Sequence, residues 1–97
     1  MIARHVTMTF VEERVPAFRE LFLVNKDRIA SFPGCHHVWL LADPEKSNVF
    51  HTWSIWEDEE ALNRYRESEL FEEVWGTAKK LFEAKPTAIS YPIESIT

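Results

Sequence analysis

The chain has 97 residues, 45% of them hydrophobic and 13% aromatic against 28% charged, which suits one folded core and is too apolar for a disordered tail. Eleven Lys and Arg against sixteen Asp and Glu leave a net charge of -5, with no basic run longer than Lys79-Lys80, so neither nucleic acid nor an anionic membrane is an expected partner. No apolar run approaches the roughly 18 residues of a membrane span, the first five residues lack a secretory apolar core, and the single Cys35 asks for no oxidising compartment. The expectation is one cytoplasmic domain over residues 1–97.

Residues 2 to 10 alternate Ile2, Arg4, Val6, Met8 and Phe10 with Ala3, His5, Thr7 and Thr9, the period of a first strand. From Glu13 to Phe32 the apolar positions Val15, Phe18, Leu21, Phe22, Ile29 and Phe32 fall at helical spacing, with Pro16 acceptable in a first turn. Pro33-Gly34 stops that helix. Cys35 to Ala42 and Val49 to Trp56 are short apolar runs on either side of a polar turn, Asp43 to Asn48, and read as a hairpin. Asp58 is an N-cap candidate for a short helix to about Arg66, with Glu59 and Glu60 at its positive end. Ser68 restarts the helix, and Leu70, Phe71, Val74, Trp75, Ala78, Leu81 and Phe82 form one stripe between Glu69 and Glu83. Pro86 closes it, and Thr87 to Ile93 is a last strand.

The order β-α-β-β-α-β is that of an α+β, ferredoxin-like sandwich with both helices on one face of a four-stranded antiparallel sheet. If Ala42 pairs with Val49, one sheet face carries Cys35, His37, Trp39, Leu41, Phe50, Thr52, Ser54 and Trp56. The other carries His36, Val38, Leu40, Ala42, Val49, His51, Trp53 and Ile55. Periodicity leaves open which of these meets the helices, but either set is too apolar to face water in a monomer. A homodimer through the open sheet face is therefore expected.

Phe32-Pro33-Gly34-Cys35, the run Val49 to Trp56, the block Trp56-Glu57-Asp58-Glu59-Glu60-Ala61-Leu62, the step Tyr65-x-x-Ser68-x-x-Phe71 and Pro86-Thr87-Ala88 resemble the antibiotic biosynthesis monooxygenase family over nearly the whole chain. That resemblance implies a dimeric α/β barrel, two sheets face to face, with a pocket between sheet and helices in each subunit. It also implies oxygenases that need no cofactor and act on small aromatic compounds such as quinols and anthrones, or haem-degrading proteins. The haem branch carries a His iron ligand ten positions after the aromatic residue that Tyr65 matches, and here Trp75 stands there. An indole N–H is a donor without a lone pair for iron, and strand one holds no Asn, so haem degradation is disfavoured. In the oxygenase branch Trp56 matches the Trp at the end of strand three, and Thr52 replaces an Asn four residues earlier. The Tyr and Arg of that branch have no certain counterpart, although Tyr65 and Arg66 lie close in sequence.

The resulting expectation is a cofactor-independent monooxygenase with Trp56, Thr52 and His37 as catalytic candidates and Trp39, Phe50, Tyr65 and Trp75 as substrate-binding walls. His37 is a candidate for proton abstraction because imidazole serves most often as a general base near neutral pH, while a half-buried structural role is its plainer reading. The four histidines give no ligand set with metal spacing, so no metal is expected. Lack of the Asn and of the His ligand favours the alternative, a non-catalytic homodimer that binds a small ligand or serves as an interaction module.

Overall fold

The computed structural model describes residues 1–97. Strand β1 (Ile2–Thr9) leads through a 3-10 turn into helix α1 (Val15–Ala30), followed by the hairpin β2 (Cys35–Ala42) and β3 (Val49–Trp56). Helices α2 (Glu59–Arg66) and α3 (Glu69–Ala78) come next, and β4 (Thr87–Pro92) ends the sheet. All pairings are antiparallel and the strand order is β2-β3-β1-β4, the ferredoxin-like arrangement expected from the element order.

Local chemistry sets the element ends. Pro16 sits in the first turn of α1, where its missing N–H costs nothing. The Asp58 carboxylate accepts from the Ala61 N–H at 2.8 Å, and the Ser68 hydroxyl accepts from the Phe71 N–H at 3.2 Å; these caps split the second helical region where the sequence predicted. The stripe read as helical to Glu83 leaves the α-helix at Ala78 and passes through one 3-10 turn, Lys79–Leu81. That shift brings Phe82 alongside Phe10 as an isolated bridge. Gly34 has φ 89°, and a Cβ there would collide with the Ala61 side chain, so only glycine lets α2 close against the β2 entrance.

The hairpin departs from the simple alternation. Ala42 pairs with Phe50, not Val49, and a bulge between Cys35 and His37 adds one residue, His36, to β2. The Asp43 side chain shapes the intervening turn by accepting from the Glu45 and Lys46 N–H groups at 3.1 Å, an Asx-type turn. A bulge reverses the side-chain parity of everything beyond it. Cys35 thus stays on the face of Trp56, while His37, Trp39 and Leu41 pair beside Ile55, Trp53 and His51 on the opposite face. The expected grouping of His37 and Trp39 with Trp56 and Thr52 is overturned for that reason.

The helix-covered face carries Val6, Met8, Phe50, Thr52, Ser54 and Trp56 from β1 and β3 together with Val38 and Leu40 of β2. Met8, Phe10, Val15, Phe18, Phe50 and Leu81 form the main buried cluster, and Trp56, Ala61 and Leu62 a second one. Between these two clusters the helices stand off the sheet.

Candidate functional site

A cavity of about 350 Å³ occupies that gap, within the roughly 300–1,000 Å³ typical of small-molecule sites. Its floor is the middle of β1 and β3, with Thr52, Ser54 and Trp56 among the lining residues. The roof is built by α1 through Phe18, Phe22 and Ile29, and by Tyr65, Phe71 and Trp75 from α2 and α3. These two short helices place three aromatics on one wall because Tyr65 lies in the last turn of α2 and Phe71 and Trp75 lie four residues apart on α3.

The aromatic wall is continuous. Tyr65 stacks on Trp56 with ring centroids 4.9 Å apart and receives Phe71 edge-on at 5.2 Å. Phe71 in turn stacks on Trp75 at 5.7 Å. Such offset and edge-to-face pairs hold the rings in place before any ligand arrives.

Polar groups in the cavity are few. The Trp56 indole N–H donates to the Ser54 hydroxyl at 2.9 Å, so Trp56 has no free donor for a ligand. The hydroxyls of Thr52 and Tyr65 have no partner in the protein, and no buried side-chain polar atom is orphaned; both hydroxyls are available to a ligand. Burial, with a smaller contribution from the nearby Cys35 thiol, pushes Tyr65 up to about 12. At neutral pH it is therefore a phenol that donates, not a base. Desolvation also raises the Cys35 thiol, whose Sγ lies 3.8 Å from the His37 carbonyl, which marks it as an unreactive thiol.

At one end, toward β4 and the C-terminal end of α2, the cavity meets two guanidinium groups, Arg4 and Arg66. Arg4 donates to the Ser90 hydroxyl at 3.1 Å. Burial first, and then the positive charge of Arg66, lower the Arg4 pKa, though a guanidinium stays charged under any working condition. A second, more polar recess with Glu59, Asn63 and Ser90 continues outward past the same two residues.

Of the residues expected at the site, Trp56, Thr52, Tyr65 and Trp75 line this cavity. Phe50 packs in the main core against Phe18 and Phe10 and is not among the residues that line the cavity. His37 and Trp39 stack on each other on the open face, 4.6 Å between rings, and stand outside the cavity altogether. No imidazole lines it.

Arg4, Phe71 and Ser54 were missed. Arg4 had a legible signal, a charge placed within the apolar half of an alternating strand, beside Ile2, Val6 and Met8.

The other sheet face holds a different polar system. His51 Nε2 lies 2.8 Å from Asp43 Oδ1, and His51 Nδ1 lies 2.9 Å from His5 Nε2, with the Thr7 hydroxyl alongside. His5 also stacks on Trp53 at 4.5 Å. No three His, Cys, Asp or Glu side chains of the chain converge as a ligand set, and no helix is long and apolar enough to cross a membrane.

Comparison with known proteins yields one family model, described as antibiotic biosynthesis monooxygenase, which matches residues 1–75. Among curated proteins none matches. Solved structures are similar in fold. A crystal structure of an antibiotic biosynthesis monooxygenase superposes with a TM-score of 0.90 at 16% identity, covering 98% of this chain and 100% of that one. A conserved protein from Methanosarcina mazei Go1 gives 0.87 at 18% identity over 94% and 91%, and a Mycobacterium tuberculosis protein 0.88 at 13% over 99% and 98%. At such identities the likeness establishes the fold and no reaction.

Proposed function

This chain belongs to the antibiotic biosynthesis monooxygenase family, and from that premise we propose that its cavity oxygenates a small, electron-rich aromatic substrate of the quinol or anthrone kind, with dioxygen as oxidant and no added cofactor. One observation carries the reading: a preformed cavity whose aromatic wall runs from Trp56 through Tyr65 and Phe71 to Trp75, with two unengaged hydroxyls, Thr52 and Tyr65, as the donors inside it. For an anthrone CH2 group, loss of one C–H proton to solvent gives an anion that passes one electron to dioxygen. The radical pair joins in a C–O bond, and the protonated hydroperoxide loses water to leave a ketone, so one oxygen atom stays and the other leaves as water. The protein's part is to stack the ring, exclude bulk water and donate hydrogen bonds to the substrate oxygen as charge builds there.

The second reading is a binder without turnover. Commitment of the Trp56 N–H to Ser54 and the lack of a carboxylate or imidazole among the lining residues favour it. Oxygen uptake in excess chelator, over a panel of anthrones and naphthoquinols, separates the two. The oxygenase reading expects saturable uptake that falls in Thr52→Val, a shape-conserving loss of the donor. Uptake no faster than a protein-free blank, together with saturable quenching of tryptophan fluorescence, would leave the binder.

The open sheet face is proposed as a homodimer interface. Trp39, Leu41, Ile89 and Tyr91 are 44–50% exposed there in the isolated chain, large apolar side chains on a sheet face that no helix of the chain covers, the kind of surface that marks an interaction site. Light scattering at micromolar concentration is expected to return twice the chain mass.

A further inference from the structure

The cavity has no base but ends in two cations. Its ionisable lining groups are Arg4, Arg66 and Tyr65 alone, and Tyr65 is held as a phenol. Neither guanidinium forms an ion pair; the chain's ion pairs are Arg28 with Glu73, His36 with Glu57 and His51 with Asp43. In a protein with sixteen acidic against eleven basic residues, two arginines left facing each other without a carboxylate are an uncompensated cost. Glu59 lines the outer recess but makes no ion pair with either.

We infer that Arg4 and Arg66 hold an anionic oxygen of the ligand, so that the cavity takes a flat aromatic body carrying one ionised oxygen group at the end that meets β4. The inference rests on the small-aromatic reading of the cavity and narrows it to acidic ligands. Shape and charge agree: the wall from Trp56 to Trp75 is apolar and fits ring faces, whereas the cationic end offers planar N–H forks matched to an oxyanion. Arg4 is half-buried and fixed by the Ser90 hydroxyl, so it is a preset contact. Arg66 is exposed at the C-terminal end of α2 and closes on the group from the solvent side. The pair also supplies what the lining lacks. A site with no base favours the anion by binding it more tightly than the neutral acid, which lowers the ligand's own pKa.

The test is fluorescence quenching of the whole protein with three matched probes: 2-hydroxy-1,4-naphthoquinone, whose enol is ionised at neutral pH, 2-naphthoate, and neutral 2-methyl-1,4-naphthoquinone. The expected result is that an anionic probe binds about 10-fold to 100-fold more tightly than the neutral quinone, the range of a charge-assisted hydrogen bond. Preference for the enolate over the naphthoate, or the reverse, identifies which oxyanion the site is shaped for. Arg66→Gln, at an exposed position, and Arg4→Gln are each expected to erase most of that ratio by weakening the anionic probes far more than the neutral quinone, and Arg66→Lys to restore it in part. In addition, the absorption band of the bound hydroxyquinone is expected to titrate at lower pH than that of the free compound. Equal affinity for charged and neutral probes, or a preference that survives both Gln variants, overturns the inference and leaves the aromatic cavity standing. Anion-selective binding without oxygen uptake keeps the inference and removes the oxygenase reading, and no binding of any probe removes both.

Discussion

The two faces of the sheet are made from alternate residues of the same strands, and they solve opposite problems. On the helix-covered face, Thr52 and Tyr65 keep hydroxyls without partners beside a stack of aromatic rings. On the open face, Asp43, His51 and His5 satisfy one another in a chain, and the aromatics around them, Trp39 and Tyr91, stay half exposed. Unused donors inside a sheltered cavity suit a ligand that comes and goes. Exposed rings around a self-contained polar chain suit a permanent cover.

Substitutions on each face test that contrast. The largest effect is expected from Phe10→Ala: a ring with no exposure, packed on Phe18 at 4.1 Å, leaves a cavity that costs about 3–5 kcal/mol in denaturant titration. Trp39→Ala on the open face is expected to cost the monomer far less, and equal losses at the two sites would erase the distinction between the faces. Next comes Thr52→Val, which on the oxygenase reading removes a donor from a dry site and lowers kcat by about 100-fold to 1,000-fold with little change in stability; an unchanged kcat would exclude Thr52 from the reaction.

Trp39→Asp is expected to halve the mass seen by light scattering at micromolar concentration while leaving the circular dichroism intact, since a buried unpaired charge at an interface costs about 2 kcal/mol or more. A mass that does not change with this substitution would move the dimer contact elsewhere. Gly76 is smaller in effect. Nothing lies within 4 Å of where its Cβ would stand and it is not a lining residue of the cavity, so no close approach requires glycine there. Gly76→Ala is expected to stabilise the helix by up to about 1 kcal/mol, and destabilisation would mean that the helix face meets something there.

The pH response belongs to the open face and is expected to be smallest. Burial, and secondly the neighbouring His51, hold His5 below its ordinary 6.5. The unfolded chain then binds a proton that the folded chain resists, so stability is full above 6.5 and falls as pH drops toward the lowered value. Asp43 is held below 3.8, chiefly by its hydrogen bond from His51 and then by the Glu45 and Lys46 N–H groups. Its contribution is present above 3.8 and is lost only as pH falls through the lowered value. A thermal midpoint measured from pH 8 to 3 is thus expected to decline in two stages, with the first stage flattened in His5→Gln. Identical profiles for the two proteins would show that His5 does not set the first stage.

Much of this architecture is legible in one dimension because its causes are local. Strand alternation in β1, the Asp58 and Ser68 caps, Pro16 in a first turn and Gly34 after α1 each act over a few residues, and together they dictate the element order and the ferredoxin-like class. Trp56, Thr52, Tyr65 and Trp75 could be singled out from the run of residues that resembles the family. Sorting His37, Trp39 and Phe50 was a different matter. Whether a strand residue faces the helices depends on pairing register and on the bulge at His36, and one residue of slip moves every later side chain to the other face. Register is settled by packing between segments distant in the chain, as is the meeting of Arg4 on β1 with Arg66 on α2. Residue types and spacing were enough to expect an open apolar sheet face, and the family resemblance to expect a pocket between sheet and helices; which residues belong to each was decided only by the folded packing, because parity along a strand is local while its origin is not.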